Sequence, residues 1–237
     1  MSLINLRASS IGIESPNKTT FDLSVTNAGV LKTTNSELGK IDLPTADQSG
    51  RFAGLVVNQV YGGGAKDSNT TPVSHGFIEL YNNTKDPMNL TGLSVQVAEN
   101  MGTWNVLPLQ GEIPAFSSFL IRCQRHSNEA LMSTRCKVLD YDMDWDILLS
   151  DRGLKVAIMV GTEPISVTNP FIAGENSQPI PGYIDMIGAG GTDESHVIDG
   201  YESRFGHYMD KYNAVQKNEY TGKKDTNDNM LNCRSID

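Results

Sequence analysis

Residues 76–96 read GFIELYNNTKDPMNLTGLSVQ, and their pattern decides the fold. In an extended strand, successive side chains point to opposite faces. Phe77, Glu79 and Tyr81 therefore share one face, and Ile78, Leu80 and Asn82 the other. Ile78 and Leu80 are the residues expected in the core, with Tyr81 at its rim. Glu79 lies on the other face, where burial would require hydrogen-bond partners. Asn82 and Asn83 are turn formers able to bond nearby backbone, and Asn89-Leu90-Thr91-Gly92 is a second turn that sends Leu93 into the next strand.

The same grammar continues outward. Upstream, AGLVVNQVY (53–61) is an apolar strand ending in Gly62-Gly63-Gly64. Downstream come GTWNVLPLQG (102–111), FSSFLIRCQ (116–124), DRGLKVAIMVG (151–161) and GYIDMIGAGG (182–191), each bounded by Gly, Pro, Asn or Asp. Asp151-Arg152-Gly153 is a turn joining Leu148-Leu149 to Val156–Ile158, and Trp104, Leu107 and Leu109 are expected to supply bulk between sheets. Strands at this spacing with short turns predict an all-β antiparallel sandwich over residues 51–237. Residues 1–50 form a more polar segment. There Phe21, Leu23 and Val25, a turn at 27–29, then Val30 and Leu31 predict a small hairpin. Two short helices are expected: one over 125–136, and one whose face carries Tyr201, Phe205, Tyr208 and Tyr212 at steps of four, three and four. Residues 162–182 read as a long loop.

The 237 residues carry 28 acidic and 19 basic side chains, a formal charge of −9. That disfavours a sequence-independent grip on nucleic acid and adhesion to an anionic membrane. No apolar run reaches the roughly 20 residues needed to span a bilayer, and the N-terminus lacks the pattern of a secretory signal. The chain is expected in the cytoplasm or in an assembly such as a virion, or outside the cell if a signal was removed. Cys123, Cys136 and Cys233 are a poor disulfide framework. They read as free thiols, a Cys123–Cys136 bridge being the alternative in oxidising surroundings.

Little in the sequence points to catalysis. His75, His126, His196 and His207 show no zinc spacing. The glycine clusters at 61–68 and 187–195 match no phosphate-binding motif and read as sites of close backbone approach. DYDMDWD places Asp140, Asp142, Asp144 and Asp146 at alternate positions. A calcium site is conceivable there, and a solvated acidic edge is the plainer reading, because Trp145 stands where an EF-hand loop needs Gly. DTNDN at 225–229 gives an equally weak cation hint. Asn17, Asn69, Asn82 and Asn89 are glycosylation sequons, which matter only in a eukaryotic secretory route.

The string LVVNQVYGGG, GFIELYNNTKDPMNLTGLSVQ, TWNVLPLQGEIPAFSSFLIRC, DILLSDRGLKVAIMV and YIDMIGAG resembles the lamin tail domain. Within that family it is most similar to the bacterial and phage branch with a Tyr-Gly-Gly-Gly opening, often fused to secreted nucleases. The likeness covers about three quarters of the chain, at its most specific in FIELYN followed by NLTG. It implies an immunoglobulin-like sandwich with structural motif residues Phe77, Glu79, Tyr81, Asn82, Gly92, Trp104, Gly153 and Asp185, and no catalytic or cofactor-binding residues. It also implies an interaction and attachment module. The expectation is a non-enzymatic structural protein with protein partners, or a homo-oligomer, displayed on a larger body such as a phage capsid or fibre. The alternative is a binding module of a secreted or surface bacterial protein. A metal-dependent hydrolase using the aspartates at 140–146 is a third, less favoured reading. The loops at 64–75, 98–103 and 162–182 are the expected contact surfaces.

Overall fold

The computed structural model describes residues 52–64, 72–127, 136–191, 197–203, 208–210 and 212–217 in full. It also gives the backbone of strands at 11–14, 20–25, 31–35, 39–41 and 233–236. The chain forms two compact units, Met1–Gln48 and Ser49–Asp237.

The first unit carries β1 (Ile11–Glu14), β2 (Thr20–Val25), β3 (Leu31–Asn35) and β4 (Gly39–Ile41), an antiparallel sheet in sequence order. The β2–β3 pair runs from Phe21↔Asn35 to Val25↔Leu31, which is the hairpin legible in the sequence.

The second unit is built from two larger sheets. The first uses β5 (Leu55–Tyr61), β6 (Phe77–Asn82), β11 (Ser118–Arg122), β12 (Met143–Asp144), β15 (Ala214–Lys217) and β16 (Cys233–Ile236), in the order β12-β11-β6-β5-β15-β16. Its pairs are antiparallel except β11–β12. The second uses β8 (Leu93–Ala98), β9 (Asn105–Pro108), β13 (Gly153–Val160) and β14 (Tyr183–Gly190), antiparallel in the order β14-β13-β8-β9. A small pair joins β7 (Met88–Asn89) to β10 (Glu112–Ile113). Ile78, Leu80, Val57 and Ile121 from the first sheet pack with Val95, Val156, Ile158 and Ile187 from the second in one core. Burying a branched aliphatic side chain contributes about 1.5–3 kcal/mol, so this interleaved layer is the main source of stability. Among the described residues no helix is long and apolar enough to cross a membrane.

A second hydrophobic cluster covers the outer face of the smaller sheet. Alternation along β13 sends Leu154, Val156 and Ile158 inward, and Ala157 and Met159 outward. The outward residues meet Trp104, Ile165 and Tyr183, with Val167, Phe171 and Ile180 packed against them. Trp104 is therefore not inter-sheet bulk like Leu107 and Leu109. Its indole N–H donates to the Val167 carbonyl at 2.9 Å. Much of 162–182 is likewise a cover for the sheet rather than a free contact loop.

The aromatic stripe is not helical where it is described. Tyr201 is irregular, Glu202 and Ser203 form a bend, and Tyr208 makes a parallel bridge with Gly190. Phe205 lies outside the described residues. So does most of the helix expected over 125–136, whose last residue, Cys136, bridges to Val73. Cys123 and Cys136 are free thiols; burial pushes the Cys123 thiol up to about 12, and Cys136 is exposed.

Asn82 shows how the turns are fixed. It is fully buried at the end of β6 and donates to the carbonyls of Asp86, Ile113 and Pro114 at 2.9–3.1 Å. Its own carbonyl accepts from the Thr84 amide and hydroxyl. The side chain thus ties β6 to the loop after β10. Asn82→Ala leaves several buried polar groups without a partner, at roughly 1–3 kcal/mol for each group that water cannot reach. Urea denaturation should show a loss of about 2–4 kcal/mol for this variant, and about 1 kcal/mol or less for Asn89→Ala, whose side chain bonds only the exposed Thr91 amide.

Candidate functional site

The acidic run at 140–146 is an edge of the larger sheet. Met143, Trp145 and Ile147 pack inward against the core, which turns the alternate aspartates outward. The segment lies parallel to β11, and three of its four carboxylates meet a group on that strand or just beyond it. Asp142 accepts the Leu120 amide at 2.7 Å. Asp144 holds Arg122 through two bonds of 2.7 and 3.0 Å. Asp146 accepts the Gln124 side-chain amide. Asp140 is exposed and stands apart. Among the described residues no three potential ligand groups gather to hold a metal ion. The segment 225–229 lies outside them. The hydrogen bond from Arg122 holds the Asp144 carboxyl below its usual range, and the hydrogen bond to Asp144 pushes the Tyr141 phenol up. The Arg122 guanidinium lies 3.7 Å over the Tyr141 ring.

The motif residues take structural positions. Glu79 accepts the Asn58 side-chain amide at 2.6 Å. Tyr81 is buried at the rim, and Phe77 is half-buried against Tyr61. Gly92 and Gly153 adopt φ of +88° and +117° in the turns expected of them. Gly62 and Gly188 lie against neighbouring backbone, where a Cβ would come within about 2 Å of the Ser150 and Gly200 carbonyl oxygens. This is the close approach expected of the glycine clusters.

Among the described residues, one cleft opens on the covered face of the smaller sheet. It has a volume of about 490 Å³ and is lined by residues 101–104 and 164–168 together with Lys155 and Asp199. Its walls are fixed. The Gln96 side chain, buried on β8, donates to the Glu163 carbonyl and accepts the Ile165 amide. Lys155 is fully buried; its ammonium donates to the Thr168 carbonyl at 2.9 Å and pairs with Asp199 at 2.6 Å. It also lies 5.1 Å from the centre of the Trp104 ring. The second Asp199 oxygen accepts the Met101 amide at 2.8 Å. One lysine–aspartate pair thus joins both walls. Met101, at φ +54°, is 87% exposed on the rim. The cleft offers a partly exposed carboxylate, backbone carbonyls and an aromatic side wall. No group poised for nucleophilic or acid–base chemistry is evident among its described residues. Sequence reasoning named the two loops but missed Lys155 and Asp199. The signal for Lys155 was a lysine inside a strand otherwise buried on both faces.

A third group lies between the sheets, at Asp185. Its Oδ2 accepts the Val57 amide at 2.6 Å, and its Oδ1 meets the Lys217 ammonium. Glu202 is fully buried beside them, 3.3 Å from Lys217 Nζ, and accepts the Tyr183 hydroxyl at 2.5 Å.

No family model matches the chain, and no curated protein matches it. Among solved structures the chain is similar to a crystal structure of a DUF4876 family protein from Bacteroides thetaiotaomicron. The identity is 14% and the TM-score 0.46, over 91% of this chain and 81% of that one.

Asp144 provides a direct check on the acidic edge. A carboxyl depressed in the folded state stabilises above its unfolded pKa and loses that contribution as pH falls through the folded value. Solvent screening keeps the effect small, because the Asp144 side chain is 54% exposed. In NMR titrations, Arg122→Ala should raise the Asp144 midpoint toward the ordinary carboxylate range and leave the core resonances in place.

Proposed function

We propose that this chain is a non-enzymatic structural and interaction protein: a displayed β-sandwich of the immunoglobulin-like, lamin-tail type. Residues 1–50 act as its attachment segment on a larger assembly, such as a phage capsid surface or fibre. The observation that carries the reading is the cleft rim. Two loops are pinned to the sheet by Gln96, Lys155 and Asp199, while Met101 stands out to solvent. Recognition residues on a rigid scaffold lose little entropy on binding. The separate compact unit at Met1–Gln48 supports the attachment role.

The same cleft favours a second reading, a binding module of a secreted or surface bacterial protein. A carboxylate, backbone carbonyls and an aromatic wall suit a neutral polyhydroxyl ligand such as a glycan.

Light scattering across a size-exclusion peak, at rising concentration of the full chain, separates the two. Display on an assembly predicts particles larger than one chain, lost when residues 1–48 are deleted. A strictly monomeric chain retarded by soluble polysaccharide in affinity electrophoresis, with retardation abolished in Asp199→Ala, contradicts the display reading and supports the second.

A further inference from the structure

We infer that Lys217 and Asp185 form a spontaneous intramolecular isopeptide bond across the sandwich, with Glu202 carrying the proton. The placement follows from strand alternation. Lys217 lies two residues after the core residue Val215 on β15, and Asp185 two before the core residue Ile187 on β14. Both side chains therefore enter the space between the sheets, and their polar ends meet there. Lys217 is 6% exposed, Asp185 1% and Glu202 0%.

Each part the condensation needs is present. The amine is the nucleophile, and the Asp185 Cγ is the electrophile. Val57 N–H, 2.6 Å from Asp185 Oδ2, stands where negative charge develops on that oxygen during attack. Glu202 Oε2, 3.3 Å from Nζ, is within reach of the proton that must leave the nitrogen. The Tyr183 hydroxyl and the Met186 amide orient this carboxyl group from its other oxygen.

The step balances without an oxidant or cofactor. The Lys217 amine attacks Cγ of the Asp185 carboxylic acid, and a new N–C bond forms. Glu202 takes a proton from nitrogen and delivers it to Oδ1. The C–Oδ1 bond breaks, and one water leaves. Oδ2, still held by Val57, becomes the amide oxygen. The uncharged amine and acid are the reacting forms, and the buried setting keeps water from the product. Holding the two groups together supplies an effective concentration of about 10⁵–10⁸ M.

The product would tie the six-stranded sheet to the four-stranded one by a covalent bond. This suits a displayed module under mechanical load, but the inference rests on the triad alone.

Mass spectrometry of the full chain, denatured after purification, tests it. The expected mass is that of the sequence less one water, and a protease digest should yield a branched peptide joining the segments that hold Asp185 and Lys217. Lys217→Arg keeps the cation, should fold, and should restore the full mass. Glu202→Gln should also show the full mass. A folded wild-type chain at full mass, or a water loss that the digest places elsewhere, overturns the proposal. Complete cross-linking in Glu202→Gln overturns the proton-carrier role.

Discussion

Two lysines among the described residues are buried in this sandwich, and much of its architecture follows from giving each a partner. A buried cation without a counter-charge is strongly unfavourable, and removing one member of a buried pair typically costs about 3–5 kcal/mol. Lys217 meets Asp185 and Glu202 between the sheets. Lys155 meets Asp199 on the outer face of the smaller sheet. The first pair sets where β14 lies against β5, because Asp185 also accepts the Val57 amide just beyond the point where β15 stops pairing with β5. The second sets where two loops lie, because Asp199 and Lys155 hold backbone from each.

Between these clamps the apolar layer does what period-two patterning requires. Its residues were legible because each strand alternates or is wholly apolar, and because turns at Asn82, Gly92 and Gly153 carry recognisable residue types. The acidic edge at 140–146 was legible as an alternation, and the interleaved Met143, Trp145 and Ile147 give that alternation its reason. What the sequence hid has a common cause. Partners distant in the chain leave no local pattern, so the Lys155–Asp199 and Lys217–Asp185 contacts could not be read from spacing. Resemblance pointed to Asp185 without saying what it does. The stripe from Tyr201 to Tyr212 misled for a related reason: a step of four, three and four fits a helix, but the Gly190–Tyr208 bridge extends the sheet contact instead. Trp104 misled because a sheet covered on both faces has two places for a large aromatic.

The cleft and the clamps belong to one scheme. A rim can recognise a neighbour without adapting to it only if the framework beneath does not yield. Here Gln96 and Lys155 lie on adjacent strands of the smaller sheet, and both reach out to loop backbone. The inner clamp joins that sheet to its partner. Rigidity at the rim is thus inherited from contacts between the layers.

Hydrogen–deuterium exchange on the folded full chain, resolved by peptide, tests this claim most directly. The account predicts that β5, β13, β14 and residues 214–217 exchange slowly and open together, with 163–168 protected well beyond an exposed loop. Exchange of β14 and 214–217 in separate, faster openings, or of 163–168 at the rate of free peptide, would contradict it.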